Sequence, residues 1–143
     1  MNHKLVRNWN EIVKLEDTVY FLGDLGYGRY YRDPLYWLWK LNGRIILIEG
    51  SHDRKIPRSL MRPYEFLTVE REKLLLIHDY QDAYRHNLVP RDWEGWIIHG
   101  HNHQKRPLIL PAKRQVNVSV EVTDYKPVSL AKIVELIKNG RGK

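Results

Sequence analysis

The chain contains no cysteine. Disulfide bonds and thiolate metal sites are therefore excluded, and any bound metal ion must use oxygen and nitrogen ligands. The chain also lacks a long apolar run of the kind that spans a membrane, and Met1 is not followed by the pattern of a signal peptide. These absences predict a cytoplasmic protein without a membrane partner.

Acidic residues are outnumbered by basic ones, with 17 Asp and Glu against 24 Lys and Arg, for a net charge of +7. A basic surface attracts anionic partners such as phosphate esters and nucleic acid, although a solvated charged surface explains the same excess. The 143 residues are enough for one domain with an apolar core and too few for two ordinary ones. We therefore expect a single domain over residues 1–143.

Four short apolar runs are each followed by an aspartate or a histidine. Such runs, rich in β-branched residues, are typical of strands buried on both faces. In open α/β sheets, ligands collect at the carboxyl ends of the strands. The runs and the residues that follow them are 18–22 with Asp24, 45–48 with His52 and Asp53, 74–77 with His78, and 96–98 with His101 and His103.

The last of these runs leads into Gly100-His101-Asn102-His103. In extended backbone, alternate side chains lie on the same side, so His101 and His103 converge on one ion there, or on two adjacent ions if the segment turns. Neutral imidazole binds zinc, iron, nickel and manganese-like ions. The alternative for this pair is a polar loop.

Together, these segments resemble four of the five motifs of the calcineurin-like metallophosphoesterases, in the order of that family and over residues 9–134. The Asp-x-His that opens the family's pattern is absent, and Ser51 stands where the family has an asparagine. The resemblance implies an α/β fold with layered mixed β-sheets (a β-sandwich) flanked by helices, here without the first strand. Either Met1 is internal to a longer reading frame or that strand has been lost. The segments are Gly23-Asp24, Gly50-Ser51-His52-Asp53, His78 and Gly100-His101-Asn102-His103.

The resemblance implies hydrolysis of a phosphomono- or phosphodiester by a metal-activated water. It implies Mn²⁺ as the first choice of ion, with Zn²⁺, Fe²⁺, Ni²⁺ and Co²⁺ as further candidates. One ion would be bound by Asp24, Ser51, His78 and His101, and another by Asp24 and His103. His52 would donate a proton to the leaving oxygen or bind the phosphate, oriented by Asp53.

Other interpretations of the same residues stay open. Asp24 can cap a turn, and His78 can be a strand-end histidine that binds backbone. Tyr27 and Arg29 form either a rim that grips a phosphate or base, or a solvated connector. The whole chain can also be a truncated or degenerate family member that binds a phosphorylated or nucleic-acid ligand with little catalysis. A missing first strand would leave a sheet edge beside Trp9 for a second copy to cover, which favours a homo-oligomer.

The remaining elements follow from periodicity and capping residues. We expect helices over 2–13, from Asp33-Pro34 to Asn42-Gly43, and from Ser129 to Gly140. We expect an antiparallel hairpin of 64–70 and 73–77, and strands over 107–110 and 115–122. The long segment 79–95 is expected to be a loop with a short helix over 91–94.

Overall fold

The computed structural model describes residues 2–23, 38–50, 56–100, 109–119, 123 and 126–141. Within these ranges no helix has both the length and the apolar character needed to cross a membrane. The helices are α1 (Asn2–Ile12), α2 (Tyr80–Arg85) and α3 (Leu130–Arg141). The strands are β1 (Thr18–Phe21), β2 (Arg44–Ile48), β3 (Met61–Arg62), β4 (Glu65–Val69), β5 (Glu72–Ile77), β6 (Trp96–His99), β7 (Ile109–Leu110) and β8 (Gln115–Asn117).

The first sheet consists of β1, β2 and β3, all parallel, with Val19 opposite Ile45. Helix α1 packs on it through Trp9, together with Val13 just after the helix; they are 4% and 5% exposed. The Trp9 indole also donates a hydrogen bond of 2.9 Å to the carbonyl oxygen of Asn42. The helix and the two strands over 18–22 and 45–48 are therefore confirmed, and Trp9 is covered by residues of its own chain.

The second sheet has five strands in the order β4-β5-β6-β8-β7. Strands β5, β6 and β8 are parallel, while β4 and β7 are antiparallel to their neighbours. The predicted hairpin is confirmed as β4 and β5. It turns at Glu70 and Arg71, whose φ angles are +49° and +73°. Two successive residues with positive φ are typical of the turn that matches the twist of a tight hairpin.

Apolar side chains cover both faces of the second sheet, which explains the continuous apolar runs of β5 and β6. On one face, α3 packs on strand residues that include Leu74, Ile98 and Val116. On the other face, Ala83 of α2 packs near Leu75, Ile77 and Ile97. Tyr20 and Leu22, at the end of the first sheet, contact the cluster under α3. The fold is therefore α/β, with two sheets flanked by helices, and the layered sandwich stays a prediction.

Two helix predictions need correction. No helix forms over 91–94; instead α2 begins at Tyr80, because the Asp79 carboxylate accepts a hydrogen bond of 3.0 Å from the Gln81 amide. Ser129 caps α3 as predicted, its hydroxyl accepting from the Lys132 amide at 3.1 Å. Gly140 does not end α3, which continues to Arg141. A Cβ at Gly140 would lie 3.3 Å from Pro111, so the glycine allows close packing there.

Several predicted elements are only partly within the described ranges. The helix expected after Asp33-Pro34 lies largely outside them, although Gly43 has the positive φ of +93° common just after a helix. The strand predicted over 107–110 is described at Ile109–Leu110, and the one over 115–122 at Gln115–Asn117.

Candidate functional site

The carboxyl ends of four strands meet in one place. A Cβ added to Gly23 would lie 2.6 Å from the Cα of Gly50 and 2.7 Å from Nδ1 of His78. The amide of Gly100 donates a hydrogen bond of 3.1 Å to the carbonyl oxygen of His78. We call Gly23, Gly50, His78 and Gly100 the strand-end cluster. It joins β1 and β2 of the first sheet to β5 and β6 of the second.

Gly23 allows these chains to approach one another. Its φ of +99° lies in a region that side chains other than hydrogen rarely permit. Any larger residue would also overlap the backbone of Gly50 and the ring of His78. The glycine that follows β1 is therefore required both for backbone conformation and for space.

His78 is buried, with 6% of its surface exposed, and its Nδ1 lies 2.6 Å from the carbonyl oxygen of Leu22. A carbonyl oxygen only accepts hydrogen bonds, so Nδ1 must carry the proton and donate it. In the neutral ring, Nε2 then carries the lone pair. Metal-ligating histidines commonly hold this arrangement, with one nitrogen bound to a carbonyl and the other to the ion. The same contact is expected if His78 is only a strand-end histidine that binds backbone. The metal-ligand role and this structural role differ in what Nε2 binds.

Of the predicted site residues, His78 is the one that the described ranges contain. The sequence nevertheless attaches Asp24, Ser51 and His101 directly to Gly23, Gly50 and Gly100 of the strand-end cluster. Among the described residues, no group of three or more His, Cys, Asp or Glu is arranged to hold a metal ion. The predicted residues outside the described ranges are Asp24, Tyr27, Arg29, Ser51, His52, Asp53, His101 and His103.

A second set of buried polar residues was not singled out in the sequence. His99 lies opposite Asn117 in the sheet, and they are both 3% exposed. The His99 ring packs 5.1 Å from that of Tyr80, and its Nδ1 lies 3.1 Å from the carbonyl oxygen of Gly100. Asn117 accepts a hydrogen bond of 3.0 Å from the amide of Ser119. The sequence feature that could have indicated this set is the position of His99 at the end of an apolar run.

Comparison with known proteins identifies relatives of similar length. No protein-family model matches the sequence. The uncharacterized protein MJ1445 of Methanocaldococcus jannaschii is 40% identical over 146 residues, covering 99% of this chain and 77% of that protein.

Two solved structures are also similar. A protein of unknown function, AQ665 from Aquifex aeolicus, is 27% identical with a TM-score of 0.68, over 95% of this chain and 84% of that one. A Vps29 single mutant from Entamoeba histolytica is 18% identical with a TM-score of 0.48, over 80% of this chain and 62% of that one. The identity and coverage of the first relative are decisive, and the chain belongs to the family of the uncharacterized protein MJ1445.

Proposed function

We propose that this protein is a metal-dependent phosphoesterase of the calcineurin-like type, which hydrolyses a phosphomono- or phosphodiester with a metal-activated water. The observation that carries the proposal is the strand-end cluster. Each of its three glycines is followed in the sequence by a candidate metal ligand. Successive Cα atoms are about 3.8 Å apart, so Asp24, Ser51 and His101 each begin one residue from the cluster that contains His78.

The donor set suits a divalent ion. A carboxylate, a hydroxyl and two imidazoles offer oxygen and nitrogen atoms of the kind that Mn²⁺, Zn²⁺, Fe²⁺, Ni²⁺ and Co²⁺ accept. The hydrogen bond from His78 Nδ1 to Leu22 leaves Nε2 as the ring's lone-pair nitrogen, which a ligand role requires. We assign Asp24, Ser51, His78 and His101 to one ion, with Mn²⁺ the first choice. When bound, a divalent ion supplies a water of lowered pKa and neutralises charge on the phosphoryl oxygens.

Other residues act on the substrate rather than on the metal. His52 donates a proton to the leaving oxygen or binds the phosphate, and Asp53 orients its ring. Tyr27 and Arg29 bind the substrate through stacking and charge. His103 and Asp24 would share a second, weaker ion, because two protein ligands make a poor site. The layered arrangement of the two sheets is part of the same proposal.

Hydrolysis of bis(p-nitrophenyl) phosphate, with p-nitrophenyl phosphate in parallel, tests this function. Release of p-nitrophenolate should require added Mn²⁺ or another divalent transition metal. It should fall to background in Asp24→Asn, which keeps the size of the side chain and removes its charge. The absence of any turnover above that variant, with Mn²⁺, Ni²⁺, Co²⁺ or Zn²⁺, would refute the enzymatic function.

A binding module is the second candidate, favoured by two features of the sequence. The Asp-x-His of the calcineurin-like pattern is absent, and Ser51 is a weaker neutral ligand than asparagine. Such a module would bind a phosphorylated or nucleic-acid ligand, alone or as a homo-oligomer, without hydrolysing it. Mn²⁺-dependent binding of a phosphodiester without its turnover would select this candidate.

A further inference from the structure

A cleft of about 550 Å³ opens on the side of the second sheet that α2 covers. It is lined by Ile97 and Gln115, near the amino-terminal ends of β6 and β8. The strand-end cluster lies at the opposite, carboxyl ends of the strands. There His78 contacts Leu22, which follows β1 of the first sheet. The volume falls within the range of about 300–1,000 Å³ that is typical of small-ligand sites. We call this the aromatic cleft.

Three aromatic rings line the aromatic cleft: Tyr80 and Tyr84 from α2, and Trp93 from the segment before β6. Tyr84 is 42% exposed, which is high for so large a ring. Trp93 is held in place on two sides. Its ring packs edge-to-face with Phe66 at 6.0 Å, and a Cβ on Gly95 would overlap the indole. The cleft therefore offers flat aromatic surfaces, one of them rigidly placed.

The charged lining is mostly basic. Arg91, Lys113 and Arg114 line the cleft, against one carboxylate, Asp92. Within the described part of the chain, none of these three cations forms an ion pair. A cleft with such a surplus concentrates anions.

Arg114 adds an independent observation. Its φ and ψ of +52° and +50° are left-handed, a conformation that glycine or asparagine adopts more readily. The backbone is held there by hydrogen bonds, from the Arg114 amide to Pro111 at 3.1 Å and from the Ile97 amide to the Arg114 carbonyl at 2.9 Å. The guanidinium donates to the carbonyl oxygen of Trp93 at 3.1 Å. An arginine in a glycine-type conformation, facing a cleft, is the kind of strain that functional sites retain.

We propose that the aromatic cleft binds a nucleotide, with the base stacked on Tyr84 and Trp93 and the phosphate beside Arg91 and Lys113. Aromatic rings between cations are the recurring features of sites for unpaired bases, since every base has a π-face. In a duplex the bases are already stacked and are unavailable to such rings. The nucleotide is therefore free or part of a single strand. This binding does not depend on hydrolysis at the strand-end cluster.

Fluorescence anisotropy of a fluorescein-labelled decathymidylate tests the proposal, with AMP as a competitor and the matching duplex as a comparison. Tyr84→Ala should raise the Kd about 10-fold, as should Arg91→Gln combined with Lys113→Gln. Asp92→Asn should lower it. Arg114→Gly should raise the Kd while leaving the protein folded, because glycine suits that backbone conformation. Displacement by AMP would identify a free nucleotide as ligand, and its failure a single strand.

The matched control removes two cations from the other side of the sheet. Lys132 and Lys138 lie on α3 and pair with Glu135 and Glu70. Lys132→Gln combined with Lys138→Gln should leave the Kd within about 2-fold of the wild type, since binding in a cleft is local. An equal loss in this control and in the Arg91 and Lys113 variant would overturn the proposal. So would a lack of decathymidylate binding, or equal affinity for the duplex.

Discussion

The imidazole Nδ1 of His78 and the carbonyl oxygen of Leu22 lie 2.6 Å apart, which ties the end of β5 to the end of β1. The two strands belong to different sheets. A partly buried hydrogen bond therefore connects the sheets at the point where the candidate metal ligands begin. It also fixes the tautomer of the one predicted ligand that the structure describes.

Replacing His78 with alanine should lower the free energy of unfolding by about 1–3 kcal/mol, because the partly buried carbonyl of Leu22 loses its donor and the buried ring is removed. Urea denaturation followed by circular dichroism measures this change. His86→Ala is the matched control, since the His86 side chain is 68% exposed and should change stability by less than about 0.5 kcal/mol. Equal effects of the two substitutions would show that the His78 contact contributes nothing to stability.

Gly23→Ala should be among the most destabilising single changes, at about 3 kcal/mol or more. The new Cβ would combine positive-φ strain with overlap against Gly50 and His78. Gly100→Ala, at the same edge, is the control, because its Cβ would be 3.7 Å from the carbonyl oxygen of Leu22. Thermal unfolding should separate the two clearly. A Gly23→Ala protein as stable as Gly100→Ala would contradict the close approach of the strand ends.

Arg71→Gly should stabilise the protein by about 0.5–1 kcal/mol. Arg71 holds a φ of +73° in the hairpin turn, where glycine is not strained. Differential scanning calorimetry would record a higher Tm. Lys73→Gly, within β5, should act in the opposite direction, because glycine weakens a strand interior. A lower Tm for Arg71→Gly would contradict the turn assignment.

The fold was largely predictable where the local pattern is strong. Apolar runs identified β1, β2, β5 and β6, and the Ser129 cap identified α3, because strand burial and capping act over a few residues. The position of α2 was missed because the Asp79 cap precedes no long apolar stripe. The burial of Asn117 and His99 was also missed, since the face of a strand that is covered depends on elements distant in sequence.

The meeting of the strand ends was predictable in outline, and the contacts between them were not. The glycine, histidine and aspartate residues that follow the apolar runs indicated one sheet edge. The hydrogen bond between His78 and Leu22, and the contact of Gly23 with Gly50, join different sheets and have no local sequence signal. The aromatic cleft was likewise hidden, because Tyr84, Trp93 and Arg114 come together only after the sheet forms.

In the proposed enzyme, His52→Ala should lower turnover about 10²–10⁴-fold and leave metal affinity nearly unchanged, because a proton donor is not a ligand. Ser51→Asn should act on the metal instead and tighten the ion by about 10-fold, since an amide oxygen is a better neutral ligand. Steady-state kinetics and metal analysis after dialysis separate the two effects. A parallel loss of metal and activity in His52→Ala would make His52 a ligand.

Counting bound Mn²⁺ tests the central claim, a metal site at the strand-end cluster, most directly. Electron paramagnetic resonance of free Mn²⁺, during titration of the folded protein, gives stoichiometry and affinity. We predict about one tightly bound ion per wild-type chain, since Asp24, His78 and His101 with water form a workable open site, to which Ser51 adds a weaker ligand. His78→Ala should weaken it at least about 10-fold, and His86→Ala should leave it unchanged. A wild type that binds no Mn²⁺, or a His78→Ala protein that binds it equally well, would contradict the claim.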